Sequence, residues 1–66
     1  MTRLKFLRIA RRLSQDQVAE KTRINRTHVS MIENGRLNPR PEQLAALAAL
    51  FNVPGDTLLQ LVEVSR

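Results

Sequence analysis

The sequence predicts one small all-α domain, and three observations lead there. Apolar residues recur at i, i+3, i+4 and i+7, the spacing of a single helix face. Residues that open or close helices punctuate the chain: Ser14, Asn25 and Pro41 as openers, Gly35 and Asn52 as closers. Sixty-six residues without a cysteine provide for one hydrophobic core and no disulfide framework. A chain this short buries only ~60% of its unfolded surface, so association would help it.

Five helical segments are expected. Helix 1 covers Arg3 to Arg12. Ser14 caps helix 2 through a Ser-x-x-Gln capping box with Gln17. That helix turns Val18 and Ala19 inward and ends near Lys21. Asn25 caps helix 3, and Gly35 suits the left-handed closure that ends it. Asn38-Pro39-Arg40-Pro41 is extended, because a residue before proline is pushed out of the α region. Pro41 then fits the first position of helix 4, which carries Leu44, Leu47, Ala48 and Phe51 on one face to its end near Phe51. Asn52 can take a left-handed closing position. A fifth helix is expected over about Gly55 to Leu61, and the tail Leu61-Val62-Glu63-Val64 reads equally as its extension or as a short strand.

Charge is uneven. Residues 1–40 hold ten Lys/Arg against Asp16, Glu20 and Glu33, whereas residues 41–66 are net acidic by two. A basic front and a leucine-rich rear suggest one end for a polyanion and one for protein contact. No apolar run approaches the ~20 residues of a membrane span, and no secretory core opens the chain, so the expected location is cytoplasmic. One histidine and no cysteine exclude a zinc-thiolate or multi-histidine site. No cofactor, metal or small-molecule ligand is expected, and no nucleophile–base pattern points to an enzyme.

Helix 3 carries the chemistry. On a wheel at 100° per residue, Val29 and Ile32 form the inward stripe, joined by Ile24 from the turn. Thr27, Ser30, Met31 and Asn34 lie opposite, with Arg26 and His28 flanking that face at its N-terminal end. Two short helices with a three-residue turn, the second hiding one stripe and presenting small polar groups, have the layout of a helix-turn-helix, here about residues 14–34. Arginine can bond guanine O6 and N7 together, and threonine or methionine methyls can touch a thymine methyl.

The sequence resembles the single-domain helix-turn-helix proteins of the Cro and phage-repressor type, over Leu4 to Leu59. The resemblance rests on Leu4-x-x-Leu7-Arg8, Leu13-Ser14-Gln15-x-x-Val18-Ala19, Ile24-x-x-Thr27-x-Val29-Ser30-x-Ile32-Glu33-Asn34-Gly35-Arg36, Asn38-Pro39, Leu47-Ala48 and Val53. It implies a five-helix, lambda-repressor-like domain that binds double-stranded operator DNA as a homodimer. It implies base contacts for Gln15, Arg26, Thr27, His28 and Met31. It implies phosphate contacts for Ser30, Asn34, Arg36, Asn38 and Arg40, and an ion pair between Arg8 and Glu33. The chain departs from the pattern at two turn positions commonly held by glycine, which here are Arg12 and Arg23. A left-handed Arg23 would cost ~1–2 kcal/mol relative to glycine.

Phe6, Ile9, Ala10 and Leu13 make a second apolar stripe on helix 1. Either the chain's own tail covers it or a second subunit does, since an apolar patch rimmed by charge often marks an interface. The C-terminal region 55–66, with Leu58, Leu61, Val62 and Val64, is the expected dimerisation surface. The resulting expectation is a homodimeric transcriptional regulator, most simply a repressor. Restriction-modification controllers, phage switch proteins and antitoxins use the same DNA-binding fold. From another class, a helical protein-interaction module could reuse the fold without reading DNA.

Overall fold

The computed structural model describes residues 1–63. Four α-helices are present: α1 (Arg3–Ala10), α2 (Gln15–Thr22), α3 (Arg26–Glu33) and α4 (Pro41–Phe51). They enclose a core of Leu4, Val18, Ile24, Val29, Ile32, Leu47, Phe51 and Leu58. Each contributes one apolar stripe, as the periodicity requires. Helix α2 packs against both α3 and α4, so the turn between α2 and α3 is braced from behind.

The helix openings follow local chemistry. Ser14 Oγ accepts from Gln17 N at 3.0 Å while Gln17 Oε1 accepts from Ser14 N at 2.7 Å, completing the expected capping box. Asn25 Oδ1 accepts from Thr27 N at 2.7 Å. At α4, with Pro41 in its first turn, Gln43 Oε1 accepts from the Arg40 N–H at 2.9 Å.

The helix closings share one device. Arg12, Arg23, Gly35 and Asn52 all have positive φ, at 58°, 60°, 72° and 55°. Beyond each, an amide bonds back five residues: Leu13 N to Arg8 O, Ile24 N to Ala19 O, Arg36 N to Met31 O, Val53 N to Ala48 O. This left-handed closure satisfies carbonyls that the helix end leaves open. At Arg12 it ends α1 at Ala10, two residues before the end expected from periodicity. Arginine fills two of the four positions, where only glycine is free of the Cβ penalty.

Among the described residues the expected fifth helix is absent, and the five-helix count is corrected to four. Gly55–Thr57 form one 3-10 turn, after which the chain runs back along the start of α1. A Cβ at Gly55 would stand 3.1 Å from Leu44 Cγ, so glycine lets this turn lie close against α4. The chain that follows pairs with residues 54–57 positions upstream. Helix α1 begins with amides that have no intrahelical partner. Leu58 O accepts from Leu4 N at 2.9 Å and Gln60 O from Arg3 N at 2.8 Å. Together with the Thr2–Leu61 bridge, these bonds hold the chain over 58–61 against the start of α1.

The tail resolves toward extended structure. Thr2 and Leu61 form an isolated antiparallel bridge, and Val62 N donates to Met1 O at 2.9 Å. Leu58, expected at a dimer interface, is wholly buried in the chain's own core. Leu61 is 80% exposed, Val62 is half-buried, and Val64 lies outside the described residues. The tail does fold back onto α1, yet it leaves Phe6 and Ile9 exposed. Among the described residues no helix is long and apolar enough to cross a membrane.

Candidate nucleic-acid interface

Helix α3 is anchored by its inner side. Val29 and Ile32 are fully buried, and Glu33 is buried at its end. The opposite side is open. Thr27 is exposed and Ser30 and Met31 are half-buried. These three, with Gln15 from α2 and Arg26, line one shallow concavity of about 240 Å³. Five expected DNA contacts, from two helices, therefore meet on one surface.

His28 is placed differently. It lies with Leu37, Asn38, Arg40 and Gln43 around a second concavity of about 380 Å³, on the side of α3 toward the extended segment and α4. Two expected phosphate contacts, Asn38 and Arg40, thus share a surface with His28, apart from the other expected base contacts. Arg36 is exposed just past the C-terminus of α3. Asn34 borders a third cleft beside Met1, Thr2, Lys5 and Leu61, so it faces the chain's N-terminal edge.

Behind the surface lies a polar network. Arg8 Nε donates to Glu33 Oε2, and Arg8 Nη1 donates to Leu13 O at 2.8 Å. Glu33 Oε1 accepts from Gln15 Nε2 at 3.2 Å. The Glu33 side chain is 1% exposed and that of Arg8 14%. A buried carboxylate is tolerated only when paired and hydrogen-bonded, and both oxygens of Glu33 are occupied. The expected ion pair is present. Its link to Gln15 ties the first residue of α2 to the last residue of α3, setting where a candidate DNA contact begins.

Contacts of three further side chains were not legible in the sequence. Thr2 Oγ1 caps α1 by accepting from Lys5 N at 3.2 Å and donates to Glu33 O at 2.8 Å, locking the ends of α1 and α3 together. Arg11 donates to Leu50 O and Phe51 O and lies 5.3 Å over the Phe51 ring, so this cation serves the negative end of α4 rather than a polyanion. Arg26 Nε lies 3.0 Å from Asp16 Oδ1. The signal for this last pair, an acid at the second position of α2 and a base at the first of α3, is weak without knowing how the helices cross.

Comparison with known proteins agrees with this geometry. Residues 2–64 match the family described as "Helix-turn-helix domain". The chain is also similar to the "HTH-type transcriptional activator BcrR" of Enterococcus faecalis, with 37% identity over 57 residues. That match covers 86% of this chain and 28% of the relative, so the chain spans little more than a quarter of that protein's length. With residues 2–64 matched, and with a capped α2, a three-residue turn and an α3 that has one buried and one open face, the chain belongs to the helix-turn-helix domain family, a DNA-binding family.

Proposed function

We propose that this chain is a sequence-specific regulator of transcription of the Cro and phage-repressor type, binding a pseudo-palindromic operator as a homodimer. The observation that carries the reading is the convergence of Gln15, Arg26, Thr27, Ser30 and Met31 on one open surface whose reverse is core. Arg26 and Gln15 supply hydrogen-bonding groups for base edges or phosphate, and the Thr27 and Met31 methyls suit thymine. Arg36 past the end of α3, and Asn38 and Arg40 around the second concavity, serve the phosphate backbone, with Ser30 of α3 and Asn34 at its C-cap contributing. His28 extends the contact toward the Arg40 side.

One recognition helix reads only a few base pairs. Two copies related by a two-fold axis would place their helices in major grooves ~34 Å apart, on half-sites ~10 base pairs apart. Among the described residues, Leu61, Met1, Phe6 and Ile9 are the exposed large apolar side chains available for joining them. Repression is the simpler action, because occupying a site that overlaps a promoter requires no further contact. Activation is the second reading, favoured by the name of the Enterococcus relative.

Selection of bound duplexes from a random pool tests the reading. A two-fold-related consensus is expected, with affinity falling as salt rises. Absence of duplex binding at low salt would reject it. Transcription from a template carrying the selected site then separates repression from activation.

A further inference from the structure

We propose that Asp16 determines base specificity by orienting Arg26 toward guanine, an inference that rests on the DNA-binding reading above. The Asp16 Oδ1 to Arg26 Nε contact of 3.0 Å joins the start of α2 to the start of α3. Guanidinium has five N–H donors, one of them on Nε. With Nε engaged by the carboxylate, the four donors on Nη1 and Nη2 remain, one pair pointing along the side-chain axis. Such a pair matches guanine O6 and N7, two acceptors on one base edge. Arg26 lines the concavity with Thr27, Ser30 and Met31, so the oriented fork sits at the surface proposed to face the groove.

Stability does not account for the pair. Its side chains are 65% and 74% exposed, and exposed ion pairs contribute little to folding. Nor does simple attraction to DNA, because Asp16 is an acid in a net-basic stretch, held against an arginine of the surface proposed to face a polyanion. A carboxylate there weakens binding to any duplex by repelling phosphates. It also restrains Arg26, which otherwise has the reach to leave the base edge for a neighbouring phosphate. Both effects raise the ratio of specific to nonspecific binding, the quantity that matters when competing sites are abundant.

The experiment compares wild type, Arg26→Ala, Asp16→Ala and Asp16→Asn in selections from random duplexes, with affinities measured for the selected site and for unrelated DNA. Circular dichroism melts confirm that each variant folds. Wild type should select guanine at one position of each half-site, and Arg26→Ala should lose that choice. Asp16→Ala should reduce the preference at that position by about tenfold, within the range one bidentate pair supplies, and spare the others. Asp16→Asn keeps an oxygen that can accept from Nε, so it should retain most of the preference. Both Asp16 variants delete the same charge and should tighten nonspecific binding by similar factors.

The proposal is overturned if Asp16→Ala leaves the preference intact, if it erodes all positions evenly, if Asp16→Asn loses as much as Asp16→Ala, or if Arg26 does not select guanine. A wild-type protein without sequence preference would instead reject the DNA-reading assignment itself, and this inference with it. A protein that selects a site, with Asp16 variants that select it equally well, would reject the inference alone.

Discussion

Arg8 of α1 and Glu33 at the end of α3 form an ion pair almost sealed from solvent, and the same carboxylate also holds Gln15 of α2. Three helices are thereby tied at one point directly behind the candidate DNA surface. Removing one partner strands the other charge in the interior. Arg8→Ala and Glu33→Ala should each destabilise the domain by ~3–5 kcal/mol, measured by urea or thermal melting. Arg8→Lys should recover only part of this, because an ammonium cannot reach both Glu33 Oε2 and Leu13 O as the guanidinium fork does.

Two arginines close helices in the left-handed conformation, Arg12 at φ 58° and Arg23 at φ 60°. Arg12→Gly and Arg23→Gly should each stabilise the domain by up to ~1 kcal/mol, once the greater unfolded-state freedom of glycine is deducted. Gly35→Ala should do the opposite. Its φ is 72°, and although a Cβ there would meet open space, the backbone itself resists it. Chemical denaturation midpoints of the three variants test the sign of each change.

Candidate DNA contacts divide into two classes with different signatures. Arg36→Ala removes an exposed cation past the end of α3 and should weaken specific and nonspecific binding alike, reducing the log-log salt slope by about 0.9 for the one phosphate lost. His28→Ala should weaken binding to the selected site more than binding to unrelated DNA, because His28 belongs to the expected base contacts. Titrations at several salt concentrations would read both effects, and an unchanged salt slope for Arg36→Ala would remove it from the phosphate set.

The C-terminal leucines should separate folding from assembly. Leu61 is 80% exposed whereas Leu58 is wholly buried. Leu61→Asp should leave helicity intact while lowering both dimerisation and operator affinity. Leu58→Asp would place a charge in the core and should unfold the protomer outright. Analytical ultracentrifugation with circular dichroism distinguishes the two. A Leu61→Asp variant that still dimerises at micromolar concentration would move the interface elsewhere.

Thr2 serves two helices with one hydroxyl, and Thr2→Val keeps its shape while removing that group. Loss of the α1 cap and of the bond to Glu33 O should cost ~1–2 kcal/mol. Amide exchange at Lys5, whose N–H the hydroxyl accepts, should accelerate beyond the global change.

What could be read from the chain alone was what neighbours in sequence decide. The capping box of Ser14 and Gln17, the Asn25 cap, Pro41 in the first turn of α4 and the closures at Gly35 and Asn52 each involve residues no more than five apart. The four helices and the inward face of α3 were legible for that reason. The family signature made the Arg8–Glu33 pair expected as well, although its two residues are 25 apart. The leucine spacing permits a fifth helix, but the chain forms only a 3-10 turn there and then pairs through Leu58 O and Gln60 O with the amides of Leu4 and Arg3, a long-range contact that spacing does not show. Leu58 looked available to a partner for the same reason, since its burial depends on where the tail crosses α1. The roles of Thr2, Arg11 and Asp16 follow likewise from contacts with Glu33, Phe51 and Arg26 that only the crossing of the helices brings within reach. Local hydrogen bonding and hydrophobic period therefore specified the pieces. The pairing of polar groups left open at helix ends, settled only when those ends meet, decided how the pieces join and which cations remain free to face DNA.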